Sequence, residues 1–223
     1  MAQRFAIIGL GTFGTRLALA LTEKGAEVVA IDLDREEVED IKDHVAVAMI
    51  LDATDEDAVR ALGLEKVEAV IVSVGAKLDQ AILILATLQQ VGVKRIIVKV
   101  RSKLERRIVK RLGAVEGIIP EEDAGLRLAQ RLMLHGVLEA SQIAKGYSIV
   151  TFKAPPAFYG KAVRDLRLRE DHKVNLVTIF EEDAETPSHF GRCTGLPSPD
   201  QIIKAHDVLC IFGKDVDVRN LVS

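Results

Sequence analysis

A doubly wound parallel α/β sheet followed by a smaller α+β domain is the fold this 223-residue chain predicts. Three observations lead there. Gly9, Gly11 and Gly14 stand in GxGxxG spacing between two short apolar runs, Phe5–Ile8 and Val28–Ile31. Runs rich in Val and Ile then keep alternating with helical stretches as far as Ile119. After Gly146 the texture changes to short strand-like runs separated by prolines.

The first βαβ unit carries most of the information. Gly9 permits a tight strand-to-helix turn, Gly11 leaves room for a phosphate against the backbone, and Gly14 lets the helix pack closely. The helix N-terminus that follows offers unpaired N–H groups to an anion. Asp32 closes the second strand, where a ribose hydroxyl needs an acceptor. A carboxylate there repels a 2′-phosphate, which disfavours NADP against NAD, ATP or ADP. The plainer alternative is a glycine-rich turn in a βαβ unit with no ligand.

The strands are read at Phe5–Ile8, Val28–Ile31, Val45–Ile50, Ala69–Val74, Ile96–Val100 and Gly117–Ile119. Nearly continuous Val and Ile fits a parallel sheet buried on both faces. Asp34 with Glu37, and Thr54 with Asp57, read as capping boxes for the second and third helices. Six βα units predict the order 3-2-1-4-5-6 with the ligand at the carboxyl edge near strand 1. Two helices exceed the single apolar stripe a surface layer needs. One is Ala81–Leu88; the other carries Leu126, Leu128, Ala129, Leu132, Met133, Leu134, Val137 and Leu138. Burial within one domain would explain them, but contacts between subunits are the favoured reading.

In the second part, strands are read at Ser148–Lys153, Asn175–Phe180 and Val208–Phe212. Pro155, Pro156, Pro187, Pro197 and Pro199 punctuate it, with helices at Lys161–Leu168 and near the C-terminus. The domains are accordingly set at residues 1–140 and 141–223.

Composition narrows the chemistry. Hydrophobic residues make up 48%, charged residues 28%, and the net charge is −3, which suits a soluble protein without a nucleic-acid partner. No apolar run approaches the roughly 18–20 residues of a membrane span, and no signal peptide is read at the start. Cys193 and Cys210 form no CxxC pair, so a reducing cytoplasm is expected. His44, His135, His172, His189 and His206 are scattered and make no HExxH. His189 and Cys193, four apart, read as surface residues sooner than metal ligands. GxSxG and the GxxxxGK[ST] phosphate loop are absent from the sequence. A nucleotide pocket without reacting groups points to sensing, not to an enzyme.

Five further segments complete a pattern: LDATDED (Leu51–Asp57), IVSVGA (Ile71–Ala76), KVRS (Lys99–Ser102), IIPEEDAG (Ile118–Gly125) and PSPDQIIKAHDVLCIFG (Pro197–Gly213). With Gly9–Gly14 and Asp32, the chain resembles the RCK/KTN family over nearly its whole length. That family comprises cytoplasmic regulators of potassium conductance, among them the short Trk/Ktr-type uptake subunits. The resemblance implies a Rossmann-like nucleotide domain followed by a C-terminal RCK domain that senses ligands or dimerises. It implies dimers assembling into an octameric ring, docked at the inner face of the cell membrane on an integral-membrane potassium transporter or channel. It implies ATP or ADP as ligand, with NAD(H) as the other possibility.

Residue by residue, the implied nucleotide contacts are Gly9, Leu10, Gly11, Thr12, Phe13 and Gly14 in the loop, and Asp32 and Leu33 after the second strand. Asp52, Ala53, Val74, Gly75 and Ala76 follow, then Lys99, Arg101 and Glu121. Asp52 suits the adenine amino group, and Lys99 and Arg101 suit phosphates, although both would also serve as solvated strand-end charges. Where family members that read a γ-phosphate often carry arginine, this chain has Thr12, which weakens ATP-over-ADP discrimination and keeps NAD(H) open. Arg16 is a candidate substitute. Glu121 matches a family acid that holds a divalent cation, Mg or Ca, near the phosphates; the alternative is an exposed first-turn glutamate favoured by the helix dipole. For a second effector such as cyclic di-AMP, the matching positions are Arg169, Asn175 and Pro197. The reading from another class is a small NAD-dependent oxidoreductase or NAD(H) redox sensor.

Overall fold

The structure, a computed structural model, describes residues 2–75, 78–133, 136–181 and 191–222. Ala76, His135, His189 and Leu134 therefore lie outside the described residues. Two compact units emerge, Met1–Glu121 and Glu122–Ser223.

The first unit is built on six parallel strands: β1 (Arg4–Ile8), β2 (Glu27–Asp32), β3 (Val47–Ile50), β4 (Ala69–Val72), β5 (Ile96–Lys99) and β6 (Glu116–Ile118). Their order is β3-β2-β1-β4-β5-β6, as the sequence predicts. Alternate side chains feed two cores, because successive residues of a strand point to opposite faces. On one face Ala6, Ile8, Val29, Ile31, Val70 and Val72 meet helices α3 (Glu56–Ala61), α4 (Leu78–Val91) and α5 (Lys103–Arg111) through Val59, Ile84, Leu85, Leu88 and Val109. On the other, Ile7, Val28, Ala30 and Ile71 meet α1 (Thr12–Glu23) and α2 (Arg35–Ile41) through Ala18, Val38 and Ile41. Each fully buried aliphatic side chain contributes about 1.5–3 kcal/mol. Burial on both faces is why the strands read as near-continuous apolar runs.

Local details depart from expectation in physically clear ways. A 3-10 turn at Lys42–His44 delays β3 by two residues. β4 and β5 end at Val72 and Lys99, freeing the next residues to form loops at the carboxyl edge. Asp34 caps α2, but through the Glu36 N–H at 2.9 Å and not with Glu37 as the expected capping box has it. The cap of α3 is Asp55, not Thr54: its carboxylate accepts the N–H groups of Asp57 (3.0 Å) and Ala58 (3.2 Å). Thr54 instead turns its hydroxyl to Asp52, 2.7 Å away. Unread in the sequence, Ser102 caps α5 by accepting the Glu105 N–H at 3.1 Å.

The second unit holds an antiparallel sheet in the order β10-β9-β11-β8-β7. Its strands are β7 (Val137–Ala144), β8 (Tyr147–Lys153), β9 (Asn175–Glu181), β10 (Arg192–Cys193) and β11 (Val208–Lys214). Val150, Phe152, Ile179, Leu209 and Ile211 form its core with Phe158, Leu166 and Val218, the last from α7 (Asp215–Val222). The helix expected to reach Leu138 is α6 (Pro120–Met133). Apolar spacing alone extends it, but Gly136 sits at φ 77°, and β7 then pairs with β8. The expected boundary at 140/141 falls inside β7. The helix expected at Lys161–Leu168 is a 3-10 turn, Val163–Leu166. Neighbouring backbone groups are taken by another segment: Gly160 N–H bonds Ile203 C=O, and Val163 N–H bonds Gln201 C=O.

α4 buries Ala81, Ile84, Leu85, Leu88 and Val91 inside its own unit, which accounts for most of its apolar surface; Leu83 stays exposed. On α6, Leu126, Leu128 and Leu132 are 59%, 46% and 71% exposed.

Candidate functional site

The ends of β1, β2 and β4 meet at the glycine loop. Gly9, at φ 97°, donates to the Ile31 carbonyl at 2.9 Å, and Ser73 donates to the Ile8 carbonyl at 2.7 Å. A Cβ at Gly9 would lie 2.6 Å from Ser73 and Val74 backbone atoms, and one at Gly14 would lie 1.9 Å from the Gly9 carbonyl oxygen. Both are steric necessities. Gly11 differs, since nothing lies within 4 Å of where its Cβ would be. That open space sits at the N-cap of α1, where no side chain caps the first turn and no acid lies within it. Backbone donors and a positive helix end there face a place a phosphate can occupy.

Asp32 ties this loop to the end of β2. One carboxylate oxygen accepts the Leu10 N–H at 2.5 Å, and the other accepts the Asp34 N–H at 2.9 Å. A carboxylate offers about four lone-pair sites, so acceptor capacity remains for ribose hydroxyls. Leu33 is 54% exposed beside it, and Ile50, which pairs with Asp32 in the sheet, is 46% exposed. Ile50 is an apolar edge with no signature of its own in the sequence, since it looks like any strand residue.

At the ends of β4 and β5 a cleft of about 230 Å³ is lined by Gly75, Leu78, Ala81, Lys99, Val100, Arg101, Glu105 and Glu121. It brings Gly75, Lys99, Arg101 and Glu121 together, beside Leu78, Ala81 and Glu105. Lys99 Nζ lies 3.1 Å from Glu121 Oε1 and 5.7 Å from the centre of the Phe13 ring. The glycine loop and the cleft are thereby adjoining parts of one region. Glu121's own backbone N–H, together with the Lys99 ammonium, holds its carboxyl below the usual range. The Arg101 N–H bonds Glu105 at 2.8 Å while its guanidinium stays largely exposed.

Thr12 and Arg16 are exposed on α1, Ala53 is buried and Val74 is half-buried. Asp52 is exposed, and its Oδ1 is occupied by the Thr54 N–H and hydroxyl; the hydroxyl bond is the main reason its carboxyl stays below the usual range. Among the described residues no three His, Cys, Asp or Glu side chains gather as a metal site. Glu121 and Glu105 give the cleft two carboxylates, fewer than a protein-only cage requires.

In the second unit, Arg169 and Pro197 line a cleft of about 400 Å³ with Arg164 and Arg167. Asn175 lines a different one, beside the stacked rings of Tyr147 and Phe212. The expected trio is thus divided between two clefts of the single chain. Among the described residues no helix is long and apolar enough to cross a membrane.

Residues 5–120 match the model of the TrkA-N domain. Ktr system potassium uptake protein C of Bacillus subtilis is 30% identical over 218 residues, covering 98% of this chain and 95% of that one. Protein A of the same system and organism is 31% identical over 217 residues, covering 97% and 94%. The GsuK RCK domain superposes with a TM-score of 0.65 at 13% identity, covering all of this chain; this chain spans 48% of that one. The GsuK channel bound to NAD gives 0.61 at 13% identity, covering 97% of this chain and 38% of that one. At such identity these structures establish the fold, a Rossmann-like sheet followed by an antiparallel C-terminal RCK unit. The chain belongs to the TrkA-N domain family, and within it to the RCK-type Ktr potassium uptake proteins.

Proposed function

We propose that this protein is a non-enzymatic, nucleotide-responsive regulatory subunit of a potassium uptake system. It acts from the cytoplasmic side on an integral-membrane transporter or channel. The clasp of Asp32 on the Leu10 N–H carries the reading, because it sets a ribose acceptor beside an uncapped helix N-terminus. The near full-length relation to Ktr proteins A and C supplies the potassium context.

The parallel-sheet unit serves as the nucleotide domain, and the antiparallel unit, with the whole of β7, as the sensing or dimerisation domain. Dimers assemble into an octameric ring. ATP or ADP is the ligand, with the ribose on Asp32 and the phosphates near Gly11, Lys99 and Arg101. A divalent cation at Glu121 takes its remaining ligands from the phosphates, since the cleft does not supply enough. The C-terminal clefts around Arg169, Pro197 and Asn175 are offered to cyclic di-AMP.

A second reading, NAD(H) sensing or oxidoreduction, is favoured by the same Asp32, which accepts an unphosphorylated ribose. Calorimetric titration of the pure protein with ATP, ADP, NAD and NADP separates the two, with NADH turnover followed in parallel. Binding of ATP or ADP without NADH oxidation is expected, and NADP should rank below NAD. Specific, substrate-dependent NADH oxidation would sink the regulatory reading.

A further inference from the structure

In the turn after β3, one threonine holds one acid by two bonds. Thr54 donates to Asp52 Oδ1 from its backbone N–H at 2.9 Å and from its hydroxyl at 2.7 Å. The turn itself is anchored. The Thr54 carbonyl accepts the hydroxyl of Thr87, a buried residue of α4, at 3.3 Å, and the Asp55 N–H bonds the Asp52 carbonyl at 3.1 Å. Among the described residues Asp52 Oδ2 takes no hydrogen bond. One oxygen is thus fixed and the other is left to accept from a ligand.

Asp52 stands at the same edge of the sheet as Asp32. The Leu51 N–H bonds the Asp32 carbonyl at 3.0 Å, continuing the β2–β3 pairing that ends at Asp32 and Ile50. Leu33 and Ile50 are exposed there. That edge offers a carboxylate to a ribose, apolar side chains to the face of a base, and a second carboxylate to the base's polar rim. An ionised carboxylate only accepts, and the Thr54 hydroxyl, more than any other group, keeps the Asp52 carboxyl below the usual range. At its C6 position adenine presents an amino donor, whereas guanine and hypoxanthine present a carbonyl acceptor. The carboxylate pairs with the first and repels the others.

We infer that Thr54 is a positioning residue for base selection: by holding Asp52 Oδ1 it fixes the free oxygen where the site takes 6-amino purine nucleotides and refuses 6-oxo ones. The hydroxyl touches the acid and not the ligand, so it acts on the choice between bases and not on the phosphates. The inference rests on the nucleotide reading above and adds what chooses the base.

The test is calorimetry with ADP and inosine 5′-diphosphate, titrated into wild type, Thr54→Val, Thr54→Ser, Asp52→Ala and the double variant Asp52→Ala with Thr54→Val. Thermal melts verify that all five fold. Wild type should prefer ADP by about tenfold or more, the worth of a charged hydrogen bond. Thr54→Val keeps the branched shape and loses only the hydroxyl. It should narrow that preference about two- to tenfold, the range for one side chain that must be ordered on binding. Thr54→Ser should keep the wild-type ratio. In the Asp52→Ala background the preference should be gone, and Thr54→Val should change nothing further. A Thr54→Val variant that keeps the wild-type ratio, or weakens both nucleotides alike, overturns the inference, because a merely structural threonine would do that. So does loss of the preference in Thr54→Ser. Equal wild-type affinity for the two nucleotides also overturns it while leaving the nucleotide reading standing. If wild type takes up neither, the nucleotide reading itself falls, and that is seen before any variant is compared.

Discussion

Gly11, the N-cap of α1, and Gly14, in its first turn, lie three residues apart and make opposite demands. A methyl at Gly14 meets the Gly9 carbonyl oxygen, whereas a methyl at Gly11 meets nothing. Gly14→Ala should therefore cost about 1–3 kcal/mol of stability, the range for overpacking. Gly11→Ala should stay within about 0.5 kcal/mol yet weaken ADP binding, because its methyl fills the space left for a phosphate. Denaturant unfolding and calorimetry on both variants measure the contrast; a stable Gly14→Ala would contradict the packing described. Asp32→Ala removes an acceptor from two backbone N–H groups and from the ribose on the proposed reading. With charged hydrogen bonds worth about 1.5–3 kcal/mol, nucleotide affinity should drop about ten- to a hundredfold. Unchanged affinity in calorimetry would remove Asp32 from the site. Thr12→Arg should sharpen preference for ATP, since an exposed first-turn position can accept the longer side chain. Loss of both nucleotides would show the position to be sterically closed.

The elements differ in how far their sequence betrays them. Parallel strands buried on both faces announce themselves, so the sheet order and the position of Asp32 were legible from residues alone. Caps were less so: Thr54 and Asp55 are both good candidates, and only the path of the preceding turn assigns the hydroxyl to Asp52 and the cap to Asp55. Asp55→Ala should thus destabilise by about 1 kcal/mol, and Thr54→Ala by less in the same unfolding experiment. β7 was hidden because its apolar residues continue the spacing of α6, and the positive φ of Gly136 is a backbone property with no periodic trace. Glu105 and Ile50 were missed for a related reason, since each reads as an ordinary helix or strand residue until the fold lines it up with the cleft or with Asp32. The exposed leucines of α6 carry an expectation at this scale. Leu128 and Leu132 are one turn apart on the same face and are 46% and 71% exposed. Replacing both by serine should weaken self-association without lowering the melting temperature of the isolated subunit. An unchanged mass in sedimentation would place the interface elsewhere.

For the whole molecule, the relevant question is how modest differences at one site become a switch. A ligand shifts an equilibrium only through its differential affinity for the two states. On the proposed reading, with Thr12 where an arginine would read a third phosphate, the bias between ATP and ADP at each site would be small, and a ring of subunits would sum it toward the several kcal/mol that a gate requires. A closed symmetric assembly of the proposed kind would also cover the leucines that α6 leaves exposed. The most direct measurement is size-resolved light scattering on the pure protein, alone and with ADP or ATP. An even-numbered assembly of the 24.4 kDa chain is expected, its mass constant and its hydrodynamic radius different between the two nucleotides. A monodisperse monomer, with and without nucleotide, would contradict both the ring and the gating built on it.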